Sequence, residues 1–343
     1  MQMNHGKSIS TIEKTMIAAK FIDGFWDRWI AHGVGREDIL FIRSSLAGKE
    51  DWIKGWGMLA DSLLKKAEDL PNAEAEIAFR KAGLYYHLAQ WLIPEGNHEK
   101  KKWLNQCLRA VRIADDLSPV ETHYIRFDLD NQKCFGRVRI PFNAKGVIII
   151  INPLDSTKEE LFTYEIDFLQ NGFVTISFDG PGQGETYVFS GLKGTINRWE
   201  RFVHWLIEFA SANFSLPIYV FGTSSGASWA VYSSCHPKVR KAVAVSPAFF
   251  SEQIRLPDYF IERVRFVSEQ EINWLPCLDE LDFHSPVLLV HGKQDVMVSS
   301  EHIYSLYQRL PSGKKLLEFD GEGHCCNYKL PEIRKYAVAW FQE

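Results

Sequence analysis

From about residue 10 to residue 118, apolar positions recur every three or four residues, as in Trp52, Trp56, Leu59, Leu63 and Leu64. That is the period of helices with one buried face. Nothing in the stretch reads as a strand, so residues 1–120 are expected to form an all-helical domain. The period changes near Ser118-Pro119. Thr122 to Leu129 and Cys134 to Ile140 read as short strands, and Gly146 to Ile151 is an unbroken branched apolar run suited to a strand buried on both faces. Further strands are expected at Phe173 to Phe178, Ile218 to Phe221, Lys241 to Val245, Val287 to His291 and Lys315 to Phe319. Between them, Trp199, Phe202, Trp205, Leu206 and Phe209 mark one helix, and the stretch from Pro331 to Phe341 marks another. Ser156, with Glu159 three residues on, reads as the N-cap of a helix whose apolar face is Leu161, Tyr164, Phe168 and Leu169 and which Gly172 ends. This alternation predicts an α/β domain over residues 121–343, a doubly wound, mostly parallel sheet with reactive groups on loops at the carboxyl ends of its strands.

Composition changes this picture little. The 343 residues carry 39 basic and 43 acidic side chains in a well-mixed order, a net charge of -4, so no basic field exists to hold nucleic acid or a membrane surface. A small-molecule substrate fits better. The segment from Met1 to Lys14 lacks an apolar core of signal-peptide length, and no apolar run is long enough to cross a bilayer, so a cytoplasmic location is expected. The six cysteines form no CxxC pair and no spacing suited to zinc, so neither a metal nor another cofactor is expected. Six of the 11 tryptophans lie in the helical block, where they either pack a core or line an aromatic cavity. A second aromatic-rich segment, between Pro247 and Phe283, reads either as a lid or as loop packing.

The chemistry begins at Gly222-Thr223-Ser224-Ser225-Gly226, which directly follows the apolar run ending at Phe221. A G-x-S-x-G sequence after a strand places its serine on a sharp strand-to-helix turn with the hydroxyl exposed. Ser224 is the candidate nucleophile. Such a serine needs a base, an acid to orient that base, and donors for the oxyanion. In doubly wound hydrolases the acid and then the histidine follow the serine, each on a loop after a late strand. Asp295 stands just past the Val287 to His291 strand, and His324 stands in the glycine-rich loop after Lys315 to Phe319. They are the candidate acid and base, while His291 reads as structural. The backbone N–H of Ser225 and that of Leu154, in the loop after Gly146 to Ile151, are the candidate oxyanion donors; Pro153 has no N–H to offer. The expected helix near Lys158 would add its positive end to that region. Asp155, Asp179 and Glu185 are candidates for shaping the substrate pocket, and Asp179 to Glu185 reads as a tight turn beside it, lacking the lysine of a phosphate-binding loop. Cys325 and Cys326, next to His324, read as packed thiols, with reactivity the alternative.

The segments Asp155 to Glu160, Asp179 to Glu185 and Gly222 to Gly226, together with Asp295 and His324, resemble the signature loops and the acid and base of the α/β-hydrolase fold, and more narrowly its FrsA-like branch. The likeness covers residues 121 to 343. It implies that the helical block caps the catalytic domain, that the protein acts on acylated aromatic or polyketide-like compounds, and that it forms a homodimer. Carbon–carbon bond hydrolysis beside a ketone is one activity of that branch. A carboxylesterase, thioesterase or lactonase, a cyclase, or a regulatory binding protein would present the same motifs. Where such relatives carry glycines in the loop after the third strand, this chain has Asn152-Pro153.

Overall fold

The first six helices, α1 (Thr11–Phe21), α2 (Asp27–Ala31), α3 (Arg36–Ser45), α4 (Lys49–Ala67), α5 (Asn72–Trp91) and α6 (His98–Leu117), precede every strand. Residues 9–249, 256, 258–269, 274–277 and 281–343 are described by the structure, a computed structural model. Local chemistry starts the block. The Ser10 hydroxyl accepts from the backbone N–H of Glu13, whose carboxylate accepts from the Ser10 N–H, a reciprocal cap on α1. Five of the block's tryptophans, Trp26, Trp29, Trp52, Trp56 and Trp91, are buried, with Trp26 stacked on Trp52 at 5.4 Å between ring centroids. Each such ring contributes roughly 2–3 kcal/mol by leaving water. Core packing therefore accounts for most of them.

After α6 the chain enters an eight-stranded sheet in the order β1-β2-β4-β3-β5-β6-β7-β8. The first two strands, β1 (Glu121–Leu129) and β2 (Gln132–Ile140), are antiparallel, and β2 also runs antiparallel to β4 (Phe173–Asp179). All later pairings are parallel: β3 (Gly146–Ile151) with β4 and with β5 (Ile218–Thr223), then β6 (Val239–Val245), β7 (Val287–Gly292) and β8 (Lys315–Phe319). Every residue of β3 is buried because β4 and β5 flank it and helices cover both faces, which explains its unbroken apolar run. From β3 the chain moves to β4 on one side and later to β5 on the other. The strand order reverses there, and a crevice opens at the carboxyl ends of β3 and β5.

The connecting helices are α7 (Phe162–Gln170), α8 (Gly184–Ser190), α9 (Ile196–Asn213), α10 (Ser225–Ser233), α11 (Asp258–Val267), α12 (Ser300–Arg309) and α13 (Leu330–Gln342). One expectation fails here. Ser156 caps no helix: α7 starts at Phe162 with Leu161 in the capping position, and the Ser156 hydroxyl donates instead to Glu160 Oε2 at 2.6 Å. The cause is charge burial. Lys158 is drawn into a sealed cluster with Glu159, Asp179 and Glu185 at 2.6–2.9 Å, while Glu160 turns the opposite way, toward Arg28 and His32. Those contacts take up the stretch expected to form the first turn, so no helix begins near Lys158 and α7 offers no end to the oxyanion region.

Buried charge also ties the helical block to the sheet. Asp115, near the end of α6, lies 2.8 Å from Arg80 of α5 and 3.3 Å from Arg137 of β2, which in turn reaches Glu165 of α7 at 2.8 Å. Burial opposes the charge of Asp115, yet the three arginines Arg137, Arg80 and Arg139 hold its carboxyl down at about 2. Among the described residues no helix is long and apolar enough to cross a membrane.

Candidate active site

Ser224 occupies the turn between β5 and α10 with φ 53° and ψ -122°, a left-handed conformation unusual for a residue with a side chain. Two close approaches hold it there. A Cβ on Gly222 would sit 2.1 Å from the carbonyl oxygen of Gly226, and one on Gly226 would sit 2.1 Å from that of Ile151, so only glycine lets α10 come this near β3 and β5. The Ser224 N–H donates to Val245 O of β6 at 2.9 Å, fixing the turn to the neighbouring strand.

The two later loops bring their side chains to this hydroxyl. His324 Nε2 lies 2.8 Å from Ser224 Oγ, and His324 Nδ1 lies 2.8 Å from Asp295 Oδ2. The other carboxylate oxygen of Asp295 accepts from the N–H groups of Met297 at 2.8 Å and Val298 at 3.0 Å. Main-chain bonds join the loops to each other: Lys293 donates to Phe319 O at 3.0 Å and Gln294 to Glu322 O at 2.9 Å. The N–H of Cys325 donates to Ser246 Oγ at 3.0 Å, anchoring the histidine loop to the end of β6. Burial raises the cost of charge on Asp295, but its hydrogen bonds from His324 and from those N–H groups keep its carboxyl below the usual range. For His324 burial works toward the neutral ring, and the Cys325 sulfur and Asp295 carboxylate outweigh it, so its pKa stands well above the ordinary value.

The Ser225 N–H, at the first position of α10, is one of the helix's unshared donors. Leu154, from the loop after β3, faces the same place and is buried, as is Ser225. That loop is braced from behind by a residue that sequence reasoning left aside. Gln183 donates through Nε2 to Asn152 O at 3.2 Å and to Pro153 O at 2.8 Å, and accepts from the Gly180 N–H at 3.0 Å. The Asp179 to Glu185 turn therefore shapes the site through the backbone. Its acids do not reach the cleft: Asp179 and Glu185 close on Lys158 behind it. Asp155 has φ 56° and accepts from Arg28 of α2 at 2.8 Å and from Arg263 of α11 at 3.1 Å, so its carboxylate is committed to holding the loop between two helices. His291 is buried against Ser300 Oγ at 2.8 Å.

Above Ser224 lies a cleft with about 200 Å³ of room for the centres of water-sized groups, walled by the helical block on one side and by the strand-end loops on the other. Phe25, Trp29 and Trp91 give it aromatic faces, so two of the buried tryptophans serve both core and cavity. Arg28, His32 and Tyr164 add polar groups that no motif announces: Arg28 and Tyr164 come from helices whose pattern speaks only of packing, and His32 from the turn that ends α2. His32 Nδ1 lies 2.7 Å from Glu160, and Arg28 donates to the same carboxylate from Nε at 2.7 Å and Nη2 at 2.8 Å. Burial pushes the His32 ring toward its neutral form. Cys325 lines the cleft and Cys326 is buried beneath it. Of the aromatic segment between Pro247 and Phe283, Phe260 on α11 reaches the cleft; Phe250 and the side chain of Tyr259 lie outside the described residues.

No family model matches the chain. It is 26% identical over 335 residues to the 2,6-dihydropseudooxynicotine hydrolase of Paenarthrobacter nicotinovorans, an alignment covering 88% of this chain and 86% of that protein. It is 25% identical over 275 residues to a 20-hydroxy-prefusarin hydrolase of Gibberella moniliformis, covering 71% of this chain and 64% of the fungal protein. The crystal structure of 2,6-dihydroxy-pseudo-oxynicotine hydrolase superposes with a TM-score of 0.79 at 23% identity, over 92% of this chain and 94% of that one. The chain has the α/β-hydrolase fold with an N-terminal helical cap. It is an enzyme, a hydrolase.

Proposed function

We propose that the chain is a serine hydrolase that uses Ser224, His324 and Asp295 to cleave a ketone or ester of an aromatic or polyketide-like small molecule. One observation carries this reading: two consecutive 2.8 Å contacts run from the Ser224 hydroxyl through both ring nitrogens of His324 to Asp295. In the first half-reaction His324 Nε2 takes the Ser224 proton as Oγ adds to the carbonyl carbon, and the oxyanion falls toward the N–H groups of Ser225 and Leu154. When the bond to the departing group breaks, the imidazolium gives its proton to that group. Water then enters, His324 accepts one of its protons, and the acyl group leaves Ser224 as a carboxylic acid. Asp295 stays ionised throughout, holding Nδ1–H and stabilising the imidazolium.

The relatives named above are, by name, hydrolases of 2,6-dihydropseudooxynicotine and of 20-hydroxy-prefusarin, and the aromatic walls of the cleft suit a flat substrate. Replacement of Ser224 by alanine should abolish turnover and leave the melting temperature close to that of the native protein. A panel of simple esters and β-diketones assayed with the native enzyme and this variant tests both the nucleophile and the bond type. An undiminished rate in the alanine variant ends the proposal.

A further inference from the structure

Pro153 and Leu154 share one peptide group, and its orientation decides whether the loop after β3 can serve an oxyanion at Ser224. A trans peptide is planar with its C=O and N–H pointing in opposite directions, so whatever fixes the Pro153 carbonyl also aims the Leu154 N–H. The proline ring fixes φ of Pro153 but leaves the plane free to turn about ψ of Pro153 and φ of Leu154. Pro153 itself has no N–H to offer in place of a Leu154 N–H turned away.

Two donors hold the Pro153 carbonyl. One is the Ser156 N–H at 3.3 Å, which closes a turn in which Asp155 has φ 56°. The other is Gln183 Nε2 at 2.8 Å, from the turn after β4, and the same amide donates to Asn152 O at 3.2 Å. The two amide atoms of Gln183 cannot exchange roles. Its Oε1 accepts from the Gly180 N–H at 3.0 Å, so a reversed amide would set an oxygen against two carbonyls and an NH2 against an N–H. Gln183 is buried, and so is Leu154, at the wall of the cleft beside Ser224. Among the described residues the Leu154 N–H donates to no acceptor, so it is open to an oxygen bound at Ser224.

We propose that Gln183 is a positioning residue for the oxyanion: by holding the Pro153 carbonyl from behind, it turns the Leu154 N–H toward the carbonyl oxygen of the substrate. The assignment rests on the serine-hydrolase reading above. Gln183 does not line the cleft, so it acts through the peptide and not on the substrate. Its effect falls on the charge that develops on the oxygen. Substrate binding and the contacts of His324 with Ser224 and Asp295 are left alone, because Gln183 meets none of those groups. Without Gln183 the 3.3 Å bond from Ser156 would remain, so the donor is misaligned and not lost. Removing an oxyanion donor outright costs about 10²–10³ in kcat, which bounds the effect from above.

Gln183→Glu keeps the shape of the side chain and an acceptor for the Gly180 N–H, and when ionised it loses both donors. On the best substrate of the ester and diketone panel, kcat should fall about 10- to 100-fold with KM within about two-fold of native, and the acid limb of kcat/KM should not move. A phenyl-bearing trifluoromethyl ketone gives a second readout. Ser224 Oγ bonds to its carbonyl carbon, the π pair moves to the oxygen and the serine proton passes to His324, which leaves a lasting oxyanion in place. Its inhibition constant should rise by the same factor as kcat/KM falls. Should Gln183→Glu fold poorly, Gln183→Met, similar in volume and uncharged, should show the same split. An unchanged kcat in a folded variant, a loss in KM alone, a shifted acid limb or an unmoved inhibition constant overturns the positioning role. The native protein provides a test without any variant: in a crystal structure of its ketone adduct, the former carbonyl oxygen should accept from the Leu154 N–H while Pro153 O stays on Gln183 Nε2. An oxygen turned away from Leu154 overturns the role as well. Failure of the ketone to bond to Ser224 of the native protein overturns the serine-hydrolase reading instead.

Discussion

Two imidazoles line one cleft, each backed by a carboxylate, and they behave in opposite ways. In each, the carboxylate meets the ring Nδ1: Asp295 with His324 at 2.8 Å, and Glu160 with His32 at 2.7 Å. Yet the His324 pKa is raised and the His32 pKa is lowered. The difference lies in what else each group touches. Burial dominates at His32, and although Glu160 draws the ring toward its charged form, the guanidiniums of Arg28 and Arg334 repel that form. Arg28 also takes most of the Glu160 carboxylate, donating to both oxygens. At His324 the Cys325 sulfur draws the ring toward its charged form, and Asp295 adds to it, its remaining oxygen held by neutral backbone N–H groups that leave its charge for His324. Beyond the pair, His324 Nε2 meets an aliphatic hydroxyl on a strained turn, whereas His32 Nε2 lies 3.3 Å from the phenol of Tyr164, whose own pKa burial raises further. A carboxylate–imidazole contact is therefore common currency in this molecule, and the third and fourth neighbours decide its use.

The sharpest way to break the comparison is to alter each pair in turn. Asp295→Asn should lower kcat by about 10⁴ with the fold retained, because the ring loses its orienting charge and its tautomer. His32→Gln should cost no more than about ten-fold, the ~1.4 kcal/mol of one altered contact in the cleft wall. Similar losses in the two variants, measured on one substrate, would erase the distinction between the pairs.

Stability should respond in the reverse order. Glu160→Gln removes the buried carboxylate that Arg28 and His32 share while Arg28 keeps Asp155 as a partner, which should cost about 1–3 kcal/mol in chemical denaturation. Asp295→Asn, which removes no guanidinium partner, should cost less on the same measurement.

The pH dependence follows from the signs of the two shifts. In the proposed reaction His324 must be neutral to accept the serine proton, and its raised pKa keeps it protonated to higher pH than an ordinary imidazole. The acid limb of kcat/KM should thus lie above 6.5, the ordinary value, and should move to lower pH in Asp295→Asn, where the residual rate permits its measurement. The smallest effect belongs to His32. Its folded pKa is depressed, so below 6.5 the unfolded chain binds the proton more readily and the folded state loses stability as pH falls toward the depressed value. In His32→Gln that part of the decline in melting temperature should vanish, whatever the variant's stability at neutral pH.

These contrasts bear on how much could be read before folding. Ser224, Asp295 and His324 were legible because each follows a strand, and a β-strand's end is a local feature with a short-range signature in glycines and apolar runs. The eight strands were legible for the same reason, as was the change from helix to strand near residue 118; three residues separate the end of α6 from β1 at Glu121. Arg28 and Trp91 were not, since they sit in helices whose pattern describes a packed face without saying what that face meets, and neither was His32, in the turn just after α2. Glu160 pairs across 128 residues of chain with His32 and 132 with Arg28, a distance over which no sequence pattern carries information. Ser156 misled for a related reason: a cap signal is local, and the pull of Lys158 and Glu160 toward separate buried partners overrode it.

The amino-acid order alone determined where strands and helices alternate and which loops carry Ser224, Asp295 and His324, because backbone propensity and apolar period act over a few residues. Only the folded arrangement decided which imidazole is raised and which lowered, and which carboxylates meet an imidazole and which close on lysine. Those properties depend on water being excluded and on charges meeting across the whole chain.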